Sequence, residues 1–108
     1  MAISFNYDAT MRQVSEMKHI ASEMRTIANN DMPNTVSQIR ASWKGDSSTV
    51  FCSKYNMLGE KIRAEATNID NMADTLDRLA KSIKAAEERA EAILAERRAA
   101  EAAAKANT

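Results

Sequence analysis

The segment ASWKGDSST, residues 41–49, divides a chain that otherwise reads as two helical halves. It holds the only tryptophan, Trp43, and one of the two glycines, Gly45. A glycine directly after a helix is expected where the backbone leaves helical geometry through a positive φ angle. Residues 46–48, Asp-Ser-Ser, are types that cap the first amides of the next helix. A link this short between amphipathic helices predicts an antiparallel hairpin with its turn at residues 43–46.

The second half of the chain has the clearer helical pattern. Alternating steps of four and three residues from Phe51 to Ile93 meet an apolar residue at every position except Glu65. A mean spacing of about 3.5 residues is typical of a helix that faces another helix with coiled-coil-like packing. We therefore predict a helix over residues 47–104. Its expected dimer seam comprises Phe51, Tyr55, Leu58, Ile62, Ile69, Met72, Leu76 and Leu79.

Two residues interrupt this pattern. Glu65 could fix the register or pair with a cation across an interface, and it could equally lie where the seam widens to solvent. Gly59 lowers helix propensity by about 1 kcal/mol relative to alanine. Either the close approach of a neighbouring helix compensates for that loss, or Gly59 is a weak point.

The first half carries a looser apolar stripe, which predicts a helix from about Asp8. The stripe consists of Tyr7, Met11, Val14, Met17, Ile20, Ala21, Met24, Ile27 and Ala28. Pro33 has no amide to donate and disfavours α geometry at Met32, so the helix should kink or briefly break there. Asn30 or Asp31 could cap a restarted segment, and a kink within one long helix is favoured over two separate helices.

Composition argues against several functional classes. The 108 residues include 15 basic and 15 acidic side chains, so the excess of positive charge expected of a nucleic-acid binder is missing. No stretch approaches the roughly 18 apolar residues of a membrane span, and the start has no basic segment before an apolar run. We expect no nucleic-acid partner, no stable membrane insertion and no classical signal peptide.

The chain also has few of the residue types that enzymes use for catalysis or metal binding. One histidine, His19, and one cysteine, Cys52, leave no metal-ligand cluster and no internal disulfide, and the chain has no glycine-rich phosphate loop. We expect neither an enzyme nor a bound cofactor or metal. A lone hairpin of this length has little interior, so part of each apolar stripe should seek a partner. The all-α hairpin is therefore expected to dimerise into a four-helix bundle.

The end of the chain is rich in alanine and has no large apolar residue beyond Leu94. Such a composition favours helix but offers nothing that would hold it against another element. We divide the chain into a helical hairpin at residues 1–94 and a protruding, fraying helical tail at residues 95–108.

Residues 5–94, with Trp43, Lys44 and Gly45 between two amphipathic helices, resemble the WXG family of small type VII (ESX) secretion substrates, the early-secreted-antigen-like proteins. The resemblance implies hairpins that pair as antiparallel homodimers or heterodimers and leave the cytoplasm folded, without a cleaved signal. It also implies export by a machine with an FtsK/SpoIIIE-type ATPase. In that family the Trp-x-Gly turn of one subunit and a C-terminal motif of the other form a joint export signal, and Trp43 and Gly45 would supply the first half.

The family's tyrosine-based C-terminal motif is absent, because no tyrosine follows Tyr55. A looser pattern from other bacterial members is matched by Ile83, Glu87, Ala90 and Leu94. The chain could therefore carry its own signal or depend on a partner that carries one.

The expected function is that of a secreted helical-bundle protein, exported as a folded homodimer. The alternative is a small adaptor that pairs with the helical N-terminal region of a larger secreted toxin and targets it to the same system. A generic cytosolic coiled-coil protein explains the heptads but not the Trp43-Gly45 turn.

Overall fold

The computed structural model describes residues 5–107. The first arm of the hairpin comprises α1 (Tyr7–Thr26), a π-helical segment (Ile27–Asp31) and α2 (Met32–Ser42). The second arm is a single helix, α3 (Asp46–Ala106), which runs antiparallel to the first. The molecule is a thin rod of 95 × 18 × 15 Å. The predicted all-α hairpin is confirmed.

The first arm begins where its sequence provides a cap. The side-chain oxygen of Asn6 accepts a hydrogen bond from the amide of Ala9 at 3.0 Å, which satisfies one of the free amides at the start of α1. Asp8 lies in the first turn, where the helix dipole favours a negative charge, and Arg25 lies in the last turn of α1.

The two arms meet through small side chains that recur every seventh residue. On α3 the buried members of this small-residue row are Cys52, Gly59, Ala66, Ala73 and Ala80. The first arm contributes Val14, Ala21 and Ala28 with the same spacing, followed by the larger Met32 and Val36 at intervals of four residues. Small side chains allow two helix backbones to approach closely, so the larger residues of the predicted seam do not fit between the arms. They lie beside the small-residue row, where they are half-buried or exposed.

One edge of the hairpin is polar, and ion pairs join its two arms. Lys18 forms a salt bridge with Asp74 at 2.8 Å, and Arg25 pairs with Asp70. The hydrogen bond from Lys18, reinforced by its charge, lowers the pKa of the Asp74 carboxyl. The same contact raises the pKa of the Lys18 ammonium. The two pairs hold the arms in register, although their partly exposed position limits their strength.

The first arm passes Pro33 without a break. Met32, just before the proline, keeps helical angles of φ −68° and ψ −45°, and its amide donates to the carbonyl of Ile27 in π-helical register. The side chain of Asp31 makes no capping hydrogen bond. The first arm is therefore one continuous helical segment, the alternative favoured from the sequence, and Asp31 does not cap a restarted helix: a π segment, which admits one extra residue into the helical ladder, absorbs the proline.

That π segment leaves one carbonyl without an amide from its own helix. The amide of Met32 is used by Ile27, and Pro33 has no amide to offer the carbonyl of Ala28. Arg63 of α3 donates to this oxygen at 3.4 Å and to the side-chain oxygen of Asn29 at 3.3 Å. The second arm thus satisfies a backbone group that the proline has left open.

Candidate functional site

The turn between the arms takes its shape from Trp43 and Gly45. The amide of Trp43 still donates to the carbonyl of Ile39 at 2.7 Å, but its own backbone is extended, with φ −126° and ψ 116°. Gly45 then has φ +116° and ψ 179°, a conformation that is nearly exclusive to glycine. The positive φ angle predicted for Gly45 is confirmed.

The predicted capping of α3 by residues 46–48 is wrong. Gly45 occupies the cap position, and no side chain forms a capping hydrogen bond there. Asp46 is already the first helical residue, where its charge acts on the helix dipole rather than as a cap. The hydroxyl of Ser48 turns back and donates to the carbonyl of Trp43 at 2.8 Å, so it ties the second arm to the turn.

Aromatic side chains form a continuous surface beside the turn. The rings of Trp43 and Phe51 lie 5.8 Å apart between centroids, and those of Phe51 and Tyr55 stack at 5.9 Å. Trp43 and Phe51 are each 43% exposed, so the aromatic surface faces outward. It borders an open cleft of about 440 Å³, the turn cleft, lined by Trp43, Asp46, Ser47, Val50, Phe51 and Lys54. The cleft has an apolar wall and one charged side chain of each sign, Asp46 and Lys54, and such a surface suits a partner with an exposed apolar group.

Opposite the polar edge, large apolar side chains remain uncovered along the whole hairpin. Met72 is 61% exposed and Leu79 55% exposed, and both come directly before a member of the small-residue row. The residues three positions after Cys52, Gly59, Ala66 and Ala73 are half-buried beside the exposed ones. We call this surface the apolar face. It comprises Met17, Ile20, Met24 and Ile27 of the first arm and Phe51, Tyr55, Leu58, Ile62, Ile69, Met72, Leu76 and Leu79 of α3.

The open end of the hairpin is closed by contacts to the start of the first arm. The amide of Phe5 donates to a carboxylate oxygen of Glu87 at 3.2 Å. The ammonium of Lys84 lies 4.4 Å from the centre of the Tyr7 ring, a cation–π contact. Ile83 is partly exposed beside these residues.

Of the predicted C-terminal signal, Ile83, Glu87, Ala90 and Leu94, only the first two lie next to the first arm. Ala90 and Leu94 are exposed on the part of α3 that extends past Tyr7. Helical spacing puts all four on one face. Glu87 lies about 60 Å along α3 from Gly45, at 1.5 Å per residue. Within one chain the turn and this segment therefore cannot form one surface.

The turn geometry agrees with the comparison against known families. A sequence model of WXG100, described as proteins of 100 residues with WXG, matches residues 2–88. The chain belongs to the WXG100 family. WXG100 proteins are non-enzymatic proteins secreted through type VII systems. The family model ends before Ala90 and Leu94, so half of the predicted C-terminal signal lies outside the match.

Comparisons with curated proteins and with solved structures gave no match. None of the helices within residues 5–107 is long and apolar enough to cross a membrane. Within the same residues no group of histidine, cysteine, aspartate and glutamate side chains is arranged to hold a metal ion.

Sequence reasoning located the turn of this WXG100 chain but missed residues that shape its surroundings. Val50 and Lys54 line the turn cleft because α3 folds back at Gly45 and brings them beside Trp43. The return path was predicted, so these neighbours could have been found from helical spacing. The role of Arg63 was harder to predict, because its hydrogen bond to the carbonyl of Ala28 depends on the π segment, which the sequence pattern does not indicate.

Proposed function

We propose that this WXG100 protein is a type VII secretion substrate that pairs through its apolar face with a second copy and is exported as a folded antiparallel dimer. The observation that carries the proposal is the apolar face itself. Two arms alone leave it open to water along the whole hairpin, and exposed apolar surface on this scale is typical of a protein interface. A second hairpin laid on that face completes a four-helix bundle.

Antiparallel pairing also brings the two candidate halves of the export signal together. When two faces overlap fully, the turn of one copy lies at the open end of the other. Trp43 of one chain then neighbours the Ile83 to Leu94 segment of its partner, which a single chain cannot achieve. The FtsK/SpoIIIE-type export ATPase would read this joint surface: the turn cleft beside Trp43, and the face formed by Ile83, Glu87, Ala90 and Leu94.

The pairing is tested by a charge placed on the face. Met72→Glu should abolish the dimer, because a carboxylate would be buried among apolar side chains. Asn71→Glu is the matched control, since Asn71 is exposed and, one residue before Met72, lies on a different side of α3 from the apolar face. Size-exclusion chromatography with light scattering measures the mass. A dimer that survives Met72→Glu would contradict pairing through this surface.

Recognition is tested separately from pairing. Trp43→Ala should stop secretion from the producing cell while light scattering still shows a dimer. Met57→Ala is the control, because it removes a large exposed apolar side chain from α3 that belongs neither to the apolar face nor to the turn cleft. Secretion of the Trp43 variant at the level of the unmodified protein would refute a role in export, and loss of its dimer would show a structural role instead.

A second candidate is the adaptor that pairs with a larger toxin's helical N-terminal region. The absence of a tyrosine after Tyr55 favours it, because the chain lacks the family's tyrosine-based signal. Such an adaptor would be retained in the cell when produced alone and exported only together with its partner.

A further inference from the structure

Glu65 is the single charged residue in the middle of an otherwise apolar row. It comes directly before Ala66 of the small-residue row, so its heptad position is that of Leu58 and Met72, which precede and follow it by seven residues. Both neighbours are exposed members of the apolar face. Glu65 is exposed as well, and within residues 5–107 it takes part in no salt bridge or side-chain hydrogen bond. Its carboxylate is thus a free charge on the surface proposed for pairing.

Glu65 lies close to the middle of the hairpin, where its charge would affect pairing with a second copy. The two-armed part of the hairpin extends from the turn at Gly45 to the contact of Glu87 with Phe5. Its midpoint on α3 is near Ala66, so Glu65 lies within about 3 Å of the midpoint along the helix axis. Full overlap of two antiparallel faces buries the most apolar surface, and it puts the two-fold axis at that midpoint.

In a two-fold symmetric dimer, a residue that lies near the axis contacts the same residue of the other subunit. In a pair of identical chains, the Glu65 carboxylates would therefore approach each other across the axis. The repulsion between two unit charges about 7 Å apart raises the dissociation constant of the dimer roughly 3-fold at an effective dielectric constant of 80 and roughly 50-fold at 20. A cation at the same level would strengthen binding by a similar factor.

We infer that Glu65 selects the partner of the apolar face. It disfavours a second copy of this chain and favours a related helical hairpin that carries a lysine or arginine at the middle of its own apolar seam. The inference rests on the proposed pairing through that face. The antiparallel geometry stays the same, and the second copy proposed above becomes the weaker of the two partners. Self-pairing remains possible, but it is weaker than pairing with the complementary hairpin.

The test uses the chain itself as the source of a complementary partner. Glu65→Lys changes the charge of each chain by two units, so the two self-dimers and the mixed dimer separate on a native gel by charge. Glu60→Lys is the matched control, because it makes the same change five residues earlier, on the side of α3 that faces away from the apolar face. Without a preference, equal mixing gives the three species in a ratio of roughly 1:2:1.

We expect the mixture of unmodified and Glu65→Lys chains to consist predominantly of the mixed dimer, and the Glu60→Lys mixture to stay near the statistical ratio. Glu65→Gln should tighten self-pairing 3- to 50-fold in sedimentation equilibrium, with the gain shrinking at high salt. Glu60→Gln should leave the dissociation constant within about twofold.

A statistical mixture for Glu65→Lys would overturn the inference while leaving the pairing itself intact. Weaker self-pairing of Glu65→Gln would overturn it as well, since Glu65 would then stabilise the dimer by contact with a cation of the second copy. If the unmodified chain, both Glu65 variants and their mixtures all remain monomeric, pairing through the apolar face fails, and the inference fails with it.

Discussion

Replacing each of the two glycines by alanine should change stability in opposite directions. At Gly45 a Cβ atom would meet nothing within 4 Å, so there is no steric clash with the rest of the protein. Its backbone angles, φ +116° and ψ 179°, are nevertheless almost closed to residues with a side chain and cost about 1–3 kcal/mol. Lower entropy of the unfolded chain offsets about 0.4–1 kcal/mol of this. Gly45→Ala should therefore destabilise the hairpin by about 1–2 kcal/mol.

At Gly59 the reasoning runs the other way. The backbone is helical, and a Cβ atom would lie 3.7 Å from the sulfur and methyl group of Met32 and 3.9 Å from the carbonyl oxygen of Ala28, which are ordinary contacts. Alanine is favoured over glycine within a helix by about 1 kcal/mol, and burying a methyl group adds up to about 0.8 kcal/mol. Gly59→Ala should therefore stabilise the hairpin by about 1–2 kcal/mol.

Urea unfolding followed by far-ultraviolet circular dichroism measures both variants, at equal protein concentration because pairing adds to apparent stability. Unchanged stability of Gly45→Ala would refute the argument that backbone geometry alone requires glycine at the turn. A destabilised Gly59→Ala would show that the contact with Met32 has no room for a methyl group, and that close approach of the arms compensates for the glycine.

Two further outcomes concern the first arm and the polar edge. Arg63→Met should lower the free energy of unfolding, measured in urea, by about 1 kcal/mol. The same substitution should cost almost nothing in Pro33→Ala, where a backbone amide is restored for the carbonyl of Ala28. If the two substitutions have additive effects, Arg63 does not compensate for the missing amide of Pro33. In the folded protein the pKa of Asp74 lies below its ordinary value of 3.8. The salt bridge to Lys18 therefore stabilises the fold fully above pH 3.8, and this stabilisation is lost as the pH falls through the lower pKa of the folded state. Asp74→Asn should accordingly lose less stability than the unmodified protein when urea midpoints are compared between neutral pH and about pH 2, and identical losses would contradict this.

The architecture could be predicted because the strongest local signals, the apolar periodicity and the glycine at the turn, agreed with it. The heptad pattern after Phe51 predicted α3, and Gly45 predicted the turn, because each depends on residues close in the sequence. The C-terminal limit was also near the observed one, since residues 95–106 favour helix without needing a neighbour. These features follow from helix propensity and periodicity alone.

The details that could not be predicted depend on contacts between the arms. The strongest apolar pattern marked the large residues of α3, whereas α3 meets the first arm through Ala66, Ala73 and their small neighbours, which allow the two helices to approach closely. Alanine carries little weight in a hydrophobic pattern, so the row was overlooked. The π segment before Pro33 was missed for a similar reason: its free carbonyl is tolerated only because Arg63 reaches it from the other arm.

For the candidate site, the sequence located Trp43 and Gly45 but not their surroundings. The cleft beside the tryptophan exists because the chain reverses at Gly45 and sets Phe51 next to it. The separation between this cleft and Glu87 follows directly from the unbroken length of α3.

The buried position of Cys52 provides a measure of hinge movement without an added label. This thiol, the only one in the chain, is 0% exposed and lies in the small-residue row close to the turn. An alkylating reagent can reach it only when α2 lifts away from α3 at that end. The alkylation rate therefore reports how often the arms separate beside Trp43. A faster alkylation rate in the presence of the export ATPase would show that the arms separate at the turn when the ATPase binds. An unchanged rate would show that the ATPase binds the closed hairpin.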